Sequence, residues 1–574
     1  MRATHNRVLF PYLLGILFLV TCPAGGQEVL TPSPIVSTVN FNWQVVVNNS
    51  DYVPNDSRTF NSYNEPSINV NQLVVFRARS KGGSGGEPAH GIFTVNMAMG
   101  SSSLMTIFDR KRPVPKPNDL DTTFTEPPSF PRIDMFTDTI ASRGNHQPVL
   151  SYTLTGVLSE SRAGTTGIYT NPMGTLITGA SNLGATPGFG YFAVPGTNGI
   201  KFDVFPGAPS VTDGNTIVFK GNYSMPGPSN GETISKTGAY FRILTAPTET
   251  AGGTSGVTMI ADTDTLIPGT KTKFGSVSPP SAAEGWAVFS GFDNEDHPTA
   301  GGIYMAPLQG RNLRLRSVAR IGGPVPGEKK GTVFNKLGEG VSFDGRFVAF
   351  WGAWGDETKT LILQCPQEGN KVRNEYCQEQ HKSGFETKVS VNQGIFVYDT
   401  VAEQTTVVAK SPTSFADFVY WKFSGYVPGM GMGESEDSSE PARWRSGTFV
   451  AVSGLADGDL NDITFHIAYK ARAGQVVDGA YANPVDGIYL YAGPGNLATA
   501  TVVTTGMDGT LIDPDAVGID EGTGASMPLP ITKLGIERDG FRGRSLVINV
   551  AMGSEDAGWA GIYMTEVPDG MMKE

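Results

Sequence analysis

Cysteine and histidine are scarce here, and charge is thin. The 574 residues contain three Cys and six His, and only 17 % are Asp, Glu, Lys or Arg. His5, His90, His146, His297, His381 and His466 lie scattered, with no pair at the spacing of metal ligands, which argues against zinc catalysis. The net charge of −12 leaves no clustered Lys and Arg to neutralise phosphates, so nucleic acid is excluded as a partner. No sialidase-type Asp-box occurs. The pattern G-x-S-x-G occurs at Gly82-Gly83-Ser84-Gly85-Gly86, a Gly-rich loop without the following helix that a nucleophile elbow needs. Beyond the N-terminal segment no apolar run is long enough for a membrane span, and the polar end Asp569–Glu574 excludes a lipid-anchor tail.

Residues 1–26 read as a secretory signal. Arg2 and Arg7 precede an apolar run from Val8 to Thr21, and Ala24-Gly25-Gly26 offers a small-residue cleavage site. The rival reading is a bacterial lipobox ending at Cys22. Either way the chain is expected to be secreted or held in a bacterial cell envelope. Once Cys22 leaves, Cys365 and Cys377 remain, 12 residues apart, and in an exported chain they read as a disulfide. Closing a loop of that size contributes about 3 kcal/mol on the chain-entropy estimate. Sequons stand at Asn48, Asn55 and Asn222, glycosylated if the host is eukaryotic.

Glycine is abundant, with 72 residues, and 39 Pro accompany it between short apolar runs, which is the composition of turn-rich all-β structure. One phrase recurs seven times: Gly91-Ile92-Phe93, Gly167-Ile168-Tyr169, Gly238-Ala239-Tyr240, Gly302-Ile303-Tyr304, Gly394-Ile395-Phe396, Gly487-Ile488-Tyr489 and Gly561-Ile562-Tyr563, at intervals of 76, 71, 64, 92, 93 and 74 residues. Around it runs a unit of strand, loop, strand, tight turn, strand, loop and strand. Asp213-Gly214 before Ile217-Val218-Phe219 and Asp344-Gly345 before Phe347–Phe350 supply hairpin turns. Val149–Tyr152 and Phe449–Val452 read as further copies of the strand after such a turn.

Four antiparallel strands repeated seven times predict an all-β, seven-bladed β-propeller over residues 27–574. The last unit lacks its fourth strand. Residues 41–47, Phe41 to Val47, are expected to supply it beside 561–567 and so close the ring.

The stretch Pro209–Phe219 resembles the repeats of TolB-like propellers. The whole unit, with Ala261-Asp262-Thr263-Asp264-Thr265 before Pro268-Gly269, is similar to repeats of uncharacterised exported propeller proteins. The resemblance implies a fold and not an activity.

Connections between second and third strands share a face with those between blades, and these are expected to be the long ones: 353–393, 454–486, 262–280, 321–338 and 424–446. Loops on a rigid scaffold commonly carry binding. Asp293, Glu295, Asp296 and His297, the run Glu434, Glu436, Asp437 and Glu440, and the stretch Asp457-Gly458-Asp459-Leu460-Asn461-Asp462 are expected to make that face acidic. Asp457, Asp459, Asn461 and Asp462 space oxygen ligands like the start of a calcium loop, without its later Gly and Glu, and calcium is the ion they would take. Trp351, Trp354, Tyr420, Trp421, Trp444 and Trp559 supply aromatic faces for sugar rings or a protein anchor, if they are not packed between blades. The expectation is a binding or scaffold module for an extracellular protein or polysaccharide. The alternative is a calcium-assisted extracellular hydrolase or lyase with its site at the mouth of the central channel.

Overall fold

Each copy of the Gly-Ile-Tyr phrase forms the middle of a blade's third strand, and its three residues have different tasks. The computed structural model describes residues 39–571, apart from 83–86, 100–102, 117, 119–120, 148, 163–164, 184–191, 230, 245–255, 311–312, 368, 426, 429–440, 456–463, 494–498, 521, 554–557 and 569–570. The third strands are His90–Asn96, Thr165–Thr170, Thr233–Ile243, Gly301–Pro307, Gln393–Asp399, Ala480–Gly493 and Trp559–Glu566. Side chains alternate across a strand, so the apolar residue and the aromatic after it point to opposite faces. The first joins a core with the next blade and the second a core with the blade before. Ile92 thus shares a cluster with Tyr169, Ile168 with Tyr240, Ala239 with Tyr304, Ile303 with Phe396, Ile395 with Tyr489, Ile488 with Tyr563 and Ile562 with Phe93. Seven such cores, each between two blades, close into a ring. Each buried side chain of this size contributes roughly 1.5–3 kcal/mol.

The glycine is required because there is no room beside it. A Cβ on Gly238 would stand 2.6 Å from the Tyr240 hydroxyl and 2.9 Å from the Ala261 carbonyl oxygen, and one on Gly561 would stand 2.6 Å from the Tyr563 hydroxyl and 2.7 Å from the Val47 carbonyl oxygen. Opposite the phrase, the fourth strand always carries one extra residue. Ile107, Gly179, Ile260, Val318, Val408, Val502 and Val46 each bulge between the partners of the apolar residue and the aromatic.

The last of these bulges settles the closure. Trp43–Asn48 pairs antiparallel with Trp559–Glu566, from Trp43 opposite Thr565 to Asn48 opposite Gly561. It is the fourth strand of blade seven in position, register and bulge. Asp513, buried in the connection between blades six and seven, locks the seam by accepting hydrogen bonds from Asn48 Nδ2 (2.9 Å), Trp559 Nε1 (2.7 Å) and Tyr563 Oη (2.9 Å).

One face of the ring carries the tight turns and the other the long connections, as expected; we call them the turn face and the loop face. Asp213 and Gly214 both take positive φ (54° and 69°), as a type I′ turn requires. Two strand assignments are corrected. Val149–Leu154 pairs with Val157–Arg162 in a separate hairpin on the loop face, while the second strand of blade two is Ile140–His146. Val450–Leu455 is the first strand of blade six, paired with Thr464–Val477. The span 454–486 is therefore largely two long strands, Thr464–Val477 and Ala480–Gly493, joined at Asp478-Gly479.

Candidate functional site

Proline sets the shape of the axis. It has no N–H to give a ladder, so it interrupts the strands nearest the centre. The first strand of blade one is split into Phe60–Tyr63 and Ser67–Ile68 around Pro66, that of blade two into Phe124–Glu126 and Arg132–Ile133 around Pro127, Pro128 and Pro131, and that of blade four into Ser276–Val277 and Ser281–Ala283 around Pro279-Pro280. Blades five and seven break instead at 338–341 and 536–540. The pieces nearer the turn face touch one another around the axis in blade order.

Two arginines fill the space between those pieces. Arg132 is fully buried; its guanidinium pairs with Glu537 (2.9 Å) and Asp539 (3.1 Å) and donates to Ser210 Oγ (2.6 Å) and the Pro280 carbonyl (3.3 Å). Arg542 pairs with Asp539 (2.5 Å) and donates to the carbonyls of Val452 (3.1 Å) and Phe343 (3.2 Å). The Ile68 N–H donates to the Asp539 carbonyl (3.0 Å), so every blade is tied to this group. Buried charge is tolerated when it is paired and hydrogen-bonded. An ionic floor thus closes the axis toward the turn face.

Above the floor stand Arg538 and Glu65. Arg538 donates to the Pro279 carbonyl (3.0 Å) and lies 3.3 Å from Glu537. Glu65 lies in the gap of blade one's split strand, and Gly535 leaves room for its side chain. Burial raises its pKa, its own backbone N–H works against that, Glu537 adds to it, and Lys422 and Lys470 oppose it.

Blade six departs from the pattern. Its first strand begins at the Asp417–Arg472 bridge and resumes at Val450, and the gap holds a hairpin of Tyr420–Ser424 against Arg443–Gly447. This hairpin therefore rises from the axis itself. Arg443 reaches Glu295 (2.5 Å) and Asp296 (3.2 Å) of blade four. Lys470 Nζ sits 4.1 Å from the Tyr420 ring centroid and donates to the Leu534 carbonyl (2.9 Å). On the other side Phe423 and Trp444 pack on the Cys365–Cys377 disulfide, whose bond is formed (2.03 Å).

That disulfide belongs to an insert in blade five. Thr358–Leu363 pairs with Phe385–Ser390, and between them lies the helix Lys371–Gln380, capped by Asn370, whose side chain accepts from the Arg373 N–H. Phe385 stacks on Trp444 (6.2 Å, 11°), and the Ile362 N–H donates to Gly479 at the tip of the long blade-six hairpin (2.7 Å). Fully buried Asp417 ties the base together, accepting from Tyr481 Oη (2.5 Å), Gln393 Nε2 (2.9 Å) and Lys359 Nζ (3.0 Å). Insert and hairpin form one braced superstructure on the loop face.

The residues singled out in the sequence divide accordingly. Asp296 and Trp444 are brought together through Arg443, with Trp421 on the same hairpin. Asp293 accepts from the N–H groups of Thr299 and Ala300 (both 2.9 Å). Partial burial works against its charge, yet those bonds and the Thr299 hydroxyl hold the carboxyl below its usual range. Trp351 and Trp354 are not surface aromatics. They are 8 % and 6 % exposed; Trp351 Nε1 donates to Gln393 (3.0 Å), and Trp354 packs edge-on to Phe396. Both lie on the second strand of blade five, where both sheet faces are covered.

Asn48, 4 % exposed and bonded to Asp513, has no room for a glycan. Asn222 is half-buried in mid-strand, and Asn55 stands exposed in a turn. Asp457, Asp459, Asn461 and Asp462 lie outside the described residues, as do the acidic run 434–440, Ser84 and the signal-like segment. The loop face is not uniformly acidic: in the insert, Lys359, Lys371, Arg373, Lys382 and Lys388 interleave with its carboxylates. The hairpin and the ionic floor escaped sequence reading; the Arg-Asp-Gly-Phe-Arg run at 538–542 was their one visible sign.

Among the described residues, no three His, Cys, Asp or Glu side chains are grouped to hold a metal ion, and no helix is long and apolar enough to cross a membrane. No protein-family model matches the chain, and no curated protein does. Among solved structures it is similar to the β-propeller domain of the Trilobed protease from Pyrococcus furiosus, which has an open velcro topology, at 8 % identity over 89 % of this chain and 95 % of that one (TM-score 0.34). It is similar to an acylaminoacyl peptidase in complex with a chloromethyl ketone, at 10 % identity over 73 % of this chain and 59 % of that one (0.26). It is also similar to Penicillium chrysogenum α-L-arabinanase complexed with arabinobiose, at 10 % identity over 55 % and 94 % (0.20). These likenesses carry no functional argument.

Proposed function

We propose that the protein is a secreted binding or scaffold module that holds an extracellular protein or polysaccharide on its loop face, over the axis and blades five and six. The observation that carries this reading is the asymmetry of construction. The turn face carries mostly short connections, whereas the loop face bears a disulfide-pinned insert and an axial hairpin braced on blades four and five. Surface built and stiffened at one place on a rigid ring is what recognition requires, because preorganisation cuts the ordering cost of binding. The disulfide and the signal-like N-terminus support export. The seven phrases and Asp-Gly turns support the TolB-like likeness.

The test blocks one face at a time. Cysteines are placed at exposed Lys388 of the insert or at Glu403 in a turn-face connection, coupled to a bulky polymer, and binding is measured against extracellular polysaccharides and purified secreted proteins. A block at 388 that abolishes binding while one at 403 spares it supports the reading; equal effects overturn it.

The second reading, a calcium-assisted hydrolase or lyase at the mouth of the channel, draws on Glu65, a half-buried carboxyl that tends to keep its proton. It needs a second carboxylate free to act, and Glu537 is committed to Arg132 and Arg538.

A further inference from the structure

Four connections between blades carry the same turn. An apolar residue, Pro and a turn residue follow one another at Val53-Pro54-Asn55, Val194-Pro195-Gly196, Ile267-Pro268-Gly269 and Val325-Pro326-Gly327. The apolar residue is buried each time, and the residue after Pro takes positive φ (58°, 75°, 78° and 76°). The apolar carbonyl accepts the N–H three residues on, from Asp56 (3.0 Å), Thr197 (3.3 Å), Thr270 (3.0 Å) and Glu328 (3.4 Å). This is a type II turn, which sets Pro before a position suited to Gly or Asn. The apolar N–H then closes the loop on the carbonyl of Arg58, Ile200, Thr272 or Thr332.

Between turn and closure the tips differ: Asp56-Ser57, Thr197-Asn198-Gly199, Thr270-Lys271 and Glu328-Lys329-Lys330-Gly331. Only the tip between blades two and three holds Asn followed by Gly. An Asn side chain has its carbonyl carbon one ring closure away from the next backbone nitrogen, and a Gly there leaves that nitrogen unshielded. Asn198 and Gly199 are both exposed, and a Cβ on Gly199 would meet nothing within 4 Å. Neither the Gly199 N–H nor the Asn198 amide is held by a hydrogen bond among the described residues. Asn is thermolabile where nothing restrains it.

We infer that Asn198 is a self-modifying site, which sheds its amide nitrogen without an enzyme and so alters the rim between blades two and three as the molecule ages. The Gly199 nitrogen gives up its proton to solvent and attacks Asn198 Cγ. The new C–N bond closes a cyclic imide, while the Cγ–Nδ2 bond breaks and ammonia leaves. Water then opens the imide. Breaking the new bond leaves Asp at 198; breaking the original peptide bond leaves isoaspartate, with the main chain routed through the former side chain. One water is consumed and one ammonia released, and nothing is oxidised or reduced. Either product adds a negative charge to a chain already at −12. Isoaspartate also adds a methylene to the backbone between Thr197 and Ile200. That span is held by Ile200 N–H to Thr197 Oγ1 (3.3 Å) and Val194 N–H to the Ile200 carbonyl (2.8 Å). Val194 and Ile200 pack in the core between blades two and three, so the change reaches the blade interface.

The experiment keeps the full protein in heavy-oxygen water at mildly alkaline and mildly acidic pH, beside a free peptide of residues 193–201. The tryptic peptide ending at Lys201 is followed by mass. By the time the free peptide has lost most of its amide, most Asn198 in the folded protein is expected to be converted too. Conversion should be severalfold faster at the alkaline pH, carry one heavy oxygen per chain and yield isoaspartate in part. Asn198→Gln, whose longer side chain would need a larger ring, should stay intact, and the aged parent should melt below equally aged N198Q. The other Asn-Gly pair begins at Asn230, outside the described residues; it is read in its own peptide and cancels between parent and variant. An intact Asn198 beside a converted free peptide overturns the inference. So does equal conversion at exposed Asn71, which Gln72 follows, because Gly199 would then direct nothing. Full conversion with identical melting of aged parent and N198Q overturns the link to the blade interface.

Discussion

Gly238 shows how much one residue of the repeated phrase carries. Its missing Cβ is what lets the Tyr240 ring fold back over the strand and meet the preceding blade. Gly238→Ala is therefore expected to destabilise by about 1–3 kcal/mol, the usual cost of overpacking, and to lower the melting temperature. An unchanged melting temperature would mean that the ring has another place to go. Histidine gives a second test at this scale. His90 accepts a hydrogen bond from Arg77 Nε (2.9 Å), which needs a neutral ring, and burial together with Arg77 and Arg79 pushes its pKa down to about 3. Burial likewise pushes His146 down to about 4. The unfolded chain takes up these protons near pH 6.5 and the folded chain does not. The contribution is thus full above about pH 6.5 and is lost as the pH falls toward the folded values, at about 1.4 kcal/mol per unit for each proton. Glu65 and Asp344, whose pKa values are raised by burial, act in the opposite sense, so the test is a difference. Stability measured between about pH 6.5 and 4.5 should fall less steeply in His90→Gln than in the parent; parallel curves would refute the assignment.

At the scale of the element, the sequence was most legible where one residue pattern had one structural meaning. The phrase and the Asp-Gly turns fall into that class, and so does the closing strand, an apolar run with no other partner. It was least legible where two roles share one pattern. Phe449–Val452 has the look of a second strand, yet it is the resumed first strand of blade six, because first and second strands are both buried on two faces. The same burial hides Trp351 and Trp354, whose flanking Gly and polar residues suggested a loop. No local pattern announces that 32 residues have been inserted within one split strand, so the axial hairpin needed the structure. The disulfide was legible from two nearby cysteines in a chain read as exported, but its task was not. It backs the hairpin through Phe423 and Trp444 rather than holding the ring. Replacing Cys365 and Cys377 with Ser should remove about 3 kcal/mol from the closure of that loop. Amide exchange should then quicken in the helix Lys371–Gln380 and in Tyr420–Ser424 while blade strands keep their protection. Loss of protection throughout the molecule would give the bond a global role instead.

For the whole molecule, seven cores in a ring mean that no blade is terminal and each depends on two neighbours. The seam is the place to test this. Deleting residues 39–48 removes Val46 and Val47 from the core between blades seven and one, frees the edge of Trp559–Glu566 and leaves Asp513 without Asn48. A sharp fall in melting temperature with aggregation is expected, partly reversed by adding a peptide of residues 39–49. A variant that melts like the parent would show that the other six interfaces suffice.

The closing strand also has a place in time. Its partner lies more than 500 residues later in the chain. At a synthesis rate of about 5–20 residues per second, the first strand to be made waits roughly half a minute to two minutes for the last. Throughout that wait six blades can assemble, but the ring cannot close. The growing chain carries two open edges of its own making until its last blade is complete. Birth order, rather than local stability, decides when this propeller becomes a finished object.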